Sequence, residues 1–264
     1  MKSRQILARW ARTGARLRAQ LKALSEACLQ EGNAPEIHRL RVCLRRFRFW
    51  ARTGQPLLPS RDLARLQAWG RNVATLTGPI RDLDVSIEWF RSHRVGEEIM
   101  TSLAERRQTE WTRRRKRLKP LPATVLERLG GVEVTRENGR RLRRRVRRLE
   151  QRFEDRLVNR LDGFFKRDAS ARHEVRRIVR RWRYLRESVQ TAPEQKRDRL
   201  LTALLAFQEA VGDAQNLELG IELIEHHVPE GKRRRQLERQ GRVARKGLIK
   251  QTRRAIRRLQ RELD

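Results

Sequence analysis

Residues 38–49 read HRLRVCLRRFRF, and residues 173–184 read HEVRRIVRRWRY. Drawn at 100° per residue, the apolar side chains of each block share one side of a helix, and the histidine and most of the arginines share the other. This periodicity predicts two amphipathic helices, each with a row of cations spaced three and four residues apart. The blocks agree position by position, because the histidine, four arginines and a final aromatic residue coincide.

A second pair of blocks follows at nearly the same distance downstream in each half. Residues 78–93 read GPIRDLDVSIEWFRSH, and residues 212–227 read GDAQNLELGIELIEHH. Coincident arginines are expected by chance in so arginine-rich a chain, but here glycine, leucine, isoleucine, glutamate and histidine coincide as well. Two repeated blocks in the same order predict an internal duplication, with one set of helices in each half.

Strand patterns are nearly absent, and helical periodicity extends over most of the sequence. The expected fold is all-α, with two four-helix bundles related by an internal pseudo-two-fold repeat. The first half is expected at 1–118, a linker at 119–139 and the second half at 140–264. The expected helices run from the start to Cys28, from Pro35 to Arg52, from Ser60 to His93, from Val95 to Leu118, from Arg140 to Leu161, from Ser170 to Gln190, from Pro193 to Val228 and from Gly231 to the end, with a short one before Gly130.

The chain carries a large excess of positive charge. Its 264 residues include 65 lysines and arginines against 32 acidic residues, a formal net charge of +33. Such a charge repels itself unless it is spread over the surface or met by a polyanion. Arginine supplies 56 of the 65 basic residues, and its planar fork grips phosphate oxygens in pairs. A GC-rich genome also favours arginine, so the positions of the arginines carry more weight than their number.

The cysteines and the hydropathy exclude two other classes of protein. Cys28 and Cys43 are too few for a disulfide scaffold, and both fall at apolar positions of helical patterns. They are expected to be reduced core thiols of a cytosolic protein. No apolar run approaches the length that spans a membrane, so no membrane partner is expected.

The rows of cations have two interpretations. A run of like charges is usually the solvated face of a basic protein, although close like charges destabilise a helix. Three features favour a polyanion site: the row is duplicated, a histidine holds the same place in each copy, and no acid lies within the row. Positive neighbours are expected to disfavour protonation of His38 and His173, so each would donate a hydrogen bond to phosphate as a neutral ring.

Paired acids stand in the second block, after a glycine that is expected to interrupt the helix in each half. Asp82 and Asp84 could serve a ligand site, by positioning arginines or by holding a divalent cation, or they could cap a helix and form salt bridges between helices. In the second copy Gln215 and Asn216 replace Arg81 and Asp82, so that half lacks charge there.

These motifs resemble the CHAD family of α-helical domains, named for their conserved histidines. The resemblance rests on His-x-x-Arg-x-x-x-Arg-Arg-x-Arg at 38–48 and 173–183 and on the glycine-led blocks that follow. It implies a pair of four-helix bundles with a basic surface that binds inorganic polyphosphate, often at polyphosphate granules. The family usually has Asn-Asp at 215–216, and this departure weakens any metal or catalytic role of the second copy.

The resemblance also implies a stand-alone binding domain. The Glu-x-Glu-x-Lys signature of the CYTH-type triphosphatases, which CHAD domains commonly accompany, does not occur in this sequence. We therefore expect a cytoplasmic, granule-associated protein that binds inorganic polyphosphate without catalysis, metal or cofactor. The residues expected to contact polyphosphate are His38, Arg41, Arg45, Arg46, Arg48, Arg81, His173, Arg176, Arg180, Arg181, Arg183 and Tyr184.

Two other functions are compatible with the residues. One is non-specific binding of RNA or other polyanions, although the sequence has no recognition motif and its few aromatic residues fall mostly at core positions. The other is a metal-dependent phosphohydrolase that uses His38, Asp82 and Asp84. The second copy lacks those acids, which argues against the phosphohydrolase.

Overall fold

The computed structural model describes residues 3–92 and 97–263, without the side chains of Glu97 and Arg233. In this part of the chain there are ten α-helices and no strand, which confirms the all-α fold. Short 3-10 turns lie at Gln55–Leu57 and Phe164–Lys166. The helices are α1 (Ser3–Gln30), α2 (Ala34–Thr53), α3 (Ser60–Ser92), α4 (Glu97–Arg115), α5 (Ala123–Arg128), α6 (Arg136–Leu161), α7 (Ala169–Val189), α8 (Ala192–Arg197), α9 (Arg199–His227) and α10 (Lys232–Arg261).

The turn between α1 and α2 forms as the sequence predicts. Gly32 adopts a left-handed φ of 60°, which glycine tolerates without a steric penalty. The side chain of Asn33 then caps α2 by accepting a hydrogen bond from the backbone nitrogen of Glu36 at 3.0 Å. Pro35 follows in the first turn, where its missing N–H leaves no helical bond unmade.

The predicted helix from Pro193 to Val228 is wrong, because the chain breaks at Asp198 into α8 and α9. The Asp198 carboxylate caps α9 by accepting a hydrogen bond from the backbone nitrogen of Leu201 at 2.9 Å. Its other oxygen accepts a hydrogen bond from Nε of Arg186. A charged residue in a helical pattern suggests a solvated face, and here it instead ends one helix and starts the next.

The predicted interruption of the long helices at Gly78 and Gly212 is also wrong. Both α3 and α9 run through these glycines, and α3 contains Pro79 as well. Pro79 cannot donate a helical hydrogen bond to the carbonyl of Thr75. Thr75 is exposed, so the lost helical bond falls on the solvent side of α3, and the helix continues. The predicted boundaries at His93 and Val95 lie outside the described residues.

A reciprocal pair of tryptophans joins α1 to α2. The indole rings of Trp10 and Trp50 stack with their centroids 4.4 Å apart and their planes 13° apart. Nε1 of Trp50 donates a hydrogen bond to the backbone oxygen of Trp10 at 2.8 Å, and Nε1 of Trp10 returns one to Trp50 at 3.3 Å. Gly14 and Gly54 make room for the rings, since a Cβ at either position would lie 2.1 Å from an indole carbon.

The chain divides into two compact units. One contains Met1–Arg148 and Glu187–Thr191, and the other contains Leu149–Arg186 and Ala192–Asp264. The segment predicted as a linker, 119–139, contains α5 and belongs to the first unit, where its Val125 is buried. The predicted halves 1–118 and 140–264 and their pseudo-two-fold relation stay predictions.

Two further expectations concern the thiols and the membrane. Cys28 and Cys43 are buried and unbridged. Burial raises the pKa of Cys28 to about 12 and that of Cys43 to about 11, so both remain protonated thiols. No helix in the described ranges has both the length and the apolar character needed to cross a membrane.

Candidate anion-binding site

The first cation cluster lies on α2 and the adjoining part of α3. The apolar face of α2 is buried through Leu40, Leu44 and Phe47. Its opposite face therefore carries the predicted row of basic side chains outward, and α3 adds one more arginine beside the row. We define the first cation cluster as His38, Arg41, Arg45 and Arg81.

Arg41 is the fixed member of this cluster. Its Nη1 donates hydrogen bonds to Oγ1 of Thr77 at 2.8 Å and to the carbonyl of Ala74 at 3.0 Å, both on α3. Thr77 is buried and donates its own hydroxyl proton to the carbonyl of Val73 at 2.7 Å. These bonds use one nitrogen of the guanidinium and leave the other nitrogens available to a ligand.

The electrostatics show that the four side chains of the cluster act on one another. Burial lowers the pKa of His38, and Arg81, Arg45 and Arg41 lower it further. Burial also lowers the pKa of Arg41, followed by the charge of Arg45. His38 is therefore neutral at physiological pH, as the sequence predicts, and presents one N–H donor.

No acid neutralises the cluster in the described part of the chain. No carboxylate oxygen lies within 4.0 Å of a basic nitrogen of Arg41, Arg45 or Arg81, and Asp82 only raises the pKa of Arg41 from a greater distance. A cluster of unpaired cations on a folded surface stores electrostatic repulsion that a bound polyanion relieves.

Arg48 belongs to a second group further along α2. Its Nε donates a hydrogen bond to Oε1 of Gln67 at 2.9 Å. Its side chain crosses Gly70 so closely that a Cβ there would lie 2.5 Å from Cδ of Arg48. Burial lowers the pKa of Arg48, and Arg52 and Arg71 lower it further. Neither Arg52 nor Arg71 was among the predicted contacts, although Arg52 continues the row four residues after Arg48.

Arg46, the remaining predicted contact on α2, has an acidic partner. Its Nη2 lies 3.4 Å from Oε2 of Glu187 in the same compact unit. The helical pattern could not show this, because Glu187 is far away in sequence. Arg46 therefore differs from Arg41 and Arg45, which have no carboxylate within 4.0 Å among the described residues.

The structure distinguishes the roles of the paired acids in the second block. Asp84 is buried, and its Oδ1 accepts a hydrogen bond from Nε of Arg107 on α4 at 3.0 Å. It therefore forms the salt bridge between helices that was one of the two predicted roles. Asp82 is exposed. Within the described ranges, no three His, Cys, Asp or Glu residues come together as a metal site requires.

The second copy of the row lies on α7, in the other compact unit. Burial lowers the pKa of His173, and Arg177, Arg180 and Arg176 lower it further. Nη2 of Arg176 lies 3.9 Å from the point that a Cβ of Gly212 would occupy, so Arg176 faces α9. Arg177 was not among the predicted contacts, and it lies on the exposed side of the helix.

The end of the second row has a different character. The guanidinium carbon of Arg183 lies 4.8 Å from the centre of the Tyr184 ring. Tyr184 is only 6% exposed, so its ring supports Arg183 from below and offers little surface of its own to a ligand. Arg180 and Arg181 are partly exposed on the same helix.

Comparison with known proteins identifies the family. The CHAD domain matches residues 13–225. The crystal structure of the CHAD domain from the plant Ricinus communis has a TM-score of 0.62 at 19% sequence identity, covering 97% of this chain and 90% of that chain. PptA from Streptomyces chartreusis has a TM-score of 0.48 at 15% identity, covering 92% of this chain and 98% of that chain. Curated proteins gave no match.

The family match includes both cation rows and most of the chain. The similarity to the Ricinus communis domain concerns the fold, since the sequence identity is low. Together with the two histidine and arginine rows, these matches confirm the resemblance seen in the sequence: the chain belongs to the CHAD domain family.

Proposed function

We propose that the protein binds inorganic polyphosphate through the first cation cluster and through the corresponding residues of α7, His173, Arg176 and Arg180. The observation that carries the proposal is the first cation cluster, which has no acidic partner within 4.0 Å among the described residues and in which Thr77 holds Arg41 against α3. The CHAD family is associated with polyphosphate binding in general, which supports the same ligand.

The spacing of the cations suits this ligand. Residues three and four apart on a helix lie about 5–6 Å from one another, so Arg41 and Arg45 form a dense patch of positive charge. Successive phosphates of polyphosphate share a bridging oxygen and therefore lie close together. The cluster has no exposed aromatic side chain to stack a base, and polyphosphate has no base that needs one.

We propose that the protein binds polyphosphate without hydrolysing it. Asp84, one of the two acids considered for a phosphohydrolase, is buried and paired with Arg107. Polyphosphate incubated with the protein is therefore expected to keep its chain length, with and without added Mg²⁺. Release of orthophosphate that is lost in an Asp84→Asn variant would contradict this assignment.

The proposal also assigns the protein to polyphosphate granules of the cytoplasm. A fluorescent fusion is expected to coincide with granules that stain for polyphosphate and to disperse when the polymer is degraded. Foci that persist after degradation of the polymer would contradict the localisation without contradicting the binding.

The test of selectivity is a salt-titrated binding assay with long-chain polyphosphate, competed by RNA and by heparin at equal anionic charge. Polyphosphate affinity should fall steeply with salt, because binding releases counterions. We expect polyphosphate to retain a clear preference at physiological ionic strength. Equal displacement by all three polymers would reduce the function to non-specific polyanion binding.

A further inference from the structure

A groove runs beside the C-terminal half of α10, within the second compact unit. Its lining residues differ in chemistry from those of the first cation cluster. It consists of three adjoining cavities of about 500, 440 and 300 Å³. The first two share Asp162 and Arg257, and the last two share Phe165 and Arg253. Because neighbouring cavities share lining residues, we treat them together and call them the α10 groove.

One wall of the α10 groove is a regular row of arginines. Arg253, Arg257 and Arg261 follow one another at four-residue intervals, so their backbones rise by about 6 Å per step. All three are exposed, and within the described ranges none forms an ion pair. Such a row presents a line of positive charge to the phosphates of a polyanion, and the other walls of the groove indicate which polyanion.

The floor of the groove is apolar. Val158 is 47% exposed and Phe165 is 37% exposed, which is unusual for large apolar side chains in this protein. The guanidinium carbon of Arg253 lies over the Phe165 ring, 5.5 Å from its centre, so a cation faces one side of an aromatic ring. An apolar floor under a cationic wall fits a ligand with both phosphates and rings.

A carboxylate in the groove further restricts the class of ligand that can bind there. Oδ1 of Asp162 accepts a hydrogen bond from Nε2 of Gln260 at 2.7 Å, and both residues line the groove. A carboxylate repels phosphate, so it is a disadvantage in a site for polyphosphate alone. It is an advantage for a ligand that carries hydrogen-bond donors, such as ribose hydroxyls and base amino groups.

We infer that the α10 groove binds single-stranded RNA. The phosphates lie on Arg253, Arg257 and Arg261, a base lies on Phe165, and Asp162 accepts a hydrogen bond from a sugar or base. The inference does not rest on the proposed polyphosphate function, because none of these residues belongs to the first cation cluster. The two sites can therefore fail separately.

The charge contribution is tested by fluorescence anisotropy with a labelled oligoadenylate of about twelve nucleotides, a length within the range of known single-strand sites. Arg257→Ala/Arg261→Ala should weaken RNA binding at least tenfold and lower the salt slope by about 1.4, the value for two lost phosphate contacts. The matched control is Arg235→Ala/Arg239→Ala, an exposed pair on the same helix with the same spacing and outside the groove. Equal losses in the two variants would overturn the inference.

The stacking contribution is tested by Phe165→Ala, which should weaken RNA binding at least about fivefold, the low end for loss of a stacking side chain. Val243→Ala is the control, since Val243 is 68% exposed on α10 and does not line the groove. Polyphosphate binding should change little in either variant. Unchanged RNA binding by Phe165→Ala, in a variant with the parent melting temperature, would overturn the inference.

The decisive variant is Asp162→Ala. Binding by diffuse positive charge and binding through a hydrogen bond to Asp162 predict opposite changes in RNA affinity. If RNA is held by diffuse positive charge, removal of an acid strengthens binding of every polyanion. If Asp162 accepts a hydrogen bond from RNA, its removal weakens RNA binding severalfold and does not weaken polyphosphate binding. Stronger or unchanged RNA binding by Asp162→Ala overturns the inference, whether or not the first cation cluster binds polyphosphate.

Discussion

Nη1 of Arg41 donates a hydrogen bond to Oγ1 of Thr77, across 2.8 Å between α2 and α3. The hydroxyl of Thr77 in turn donates to the carbonyl of Val73. This chain of bonds holds the Arg41 guanidinium in one place, where the charges of Arg45 and Arg81 act on it. A fixed arginine loses less conformational entropy when phosphate binds than a free one does.

Thr77→Val should therefore weaken polyphosphate binding severalfold although residue 77 makes no contact with the ligand. Thr53→Val is the matched control, because Thr53 is equally buried and bonds the carbonyl four residues back, but meets no arginine. Each variant should lose about 1 kcal/mol of stability, measured by denaturant unfolding. If calorimetric titration gives both variants the same affinity for polyphosphate, Arg41 is not positioned by Thr77.

Polyphosphate affinity should rise as the pH falls. In the free protein burial, then Arg81 and Arg45, lower the pKa of His38, and bound phosphate raises it again by opposing those charges. Binding therefore takes up a proton, and it strengthens as the pH falls towards the pKa of His38 in the free protein, which lies below the usual histidine value.

The double variant His38→Gln/His173→Gln should lose most of this pH dependence, which calorimetric titration at several pH values would measure. Glutamine keeps an N–H donor but does not titrate. A pH profile that is as steep in the variant as in the parent would show that the histidines are remote from the bound phosphates.

Asp84→Ala should lower the free energy of unfolding by about 3–5 kcal/mol, because it leaves Arg107 buried without its partner. Asp82→Ala is the control: Asp82 is exposed, so its loss should change stability little and tighten polyphosphate binding by removing a negative charge near Arg41. Thermal and denaturant unfolding measure the first effect. A stable Asp84→Ala protein that has lost a divalent-cation dependence of polyphosphate binding shown by the parent would instead indicate a metal role.

Gly14→Ala should destabilise the junction of α1 and α2, since the added methyl carbon would lie 2.1 Å from the Trp50 ring. The expected loss is about 1–3 kcal/mol, typical of overpacking in a core. Gly247→Ala, in the open part of α10 where a Cβ meets nothing within 4 Å, should raise stability by about 0.5–1 kcal/mol. Equal effects of the two changes on unfolding would contradict the tryptophan packing.

The local pattern of the sequence was sufficient for the cation rows. The periodicity of residues 38–49 predicted which side chains of α2 are buried and which face outward, and the histidine environment followed from neighbours on the same helix. The break at Asp198 was not visible, because a cap depends on which backbone nitrogen its side chain reaches. The pattern alone cannot distinguish a capping aspartate from a solvated one.

Contacts distant in sequence were the part that could not be predicted. The Arg46–Glu187 and Asp84–Arg107 pairs join residues from different helices, and nothing in either local pattern names the partner. The same limit hid the α10 groove, where Asp162 meets Gln260 almost a hundred residues later.

We expect the position of the arginines, and not the total charge of the protein, to determine polyphosphate binding. The most direct measurement compares the polyphosphate affinity of Arg41→Ala/Arg45→Ala with that of Arg12→Ala/Arg16→Ala at physiological salt. The second pair is exposed on α1 with the same four-residue spacing and, within the described ranges, no ion pair. We predict that polyphosphate affinity falls at least about tenfold in the first pair, as expected for charged hydrogen bonds, and less than about twofold in the second. Equal losses would contradict it.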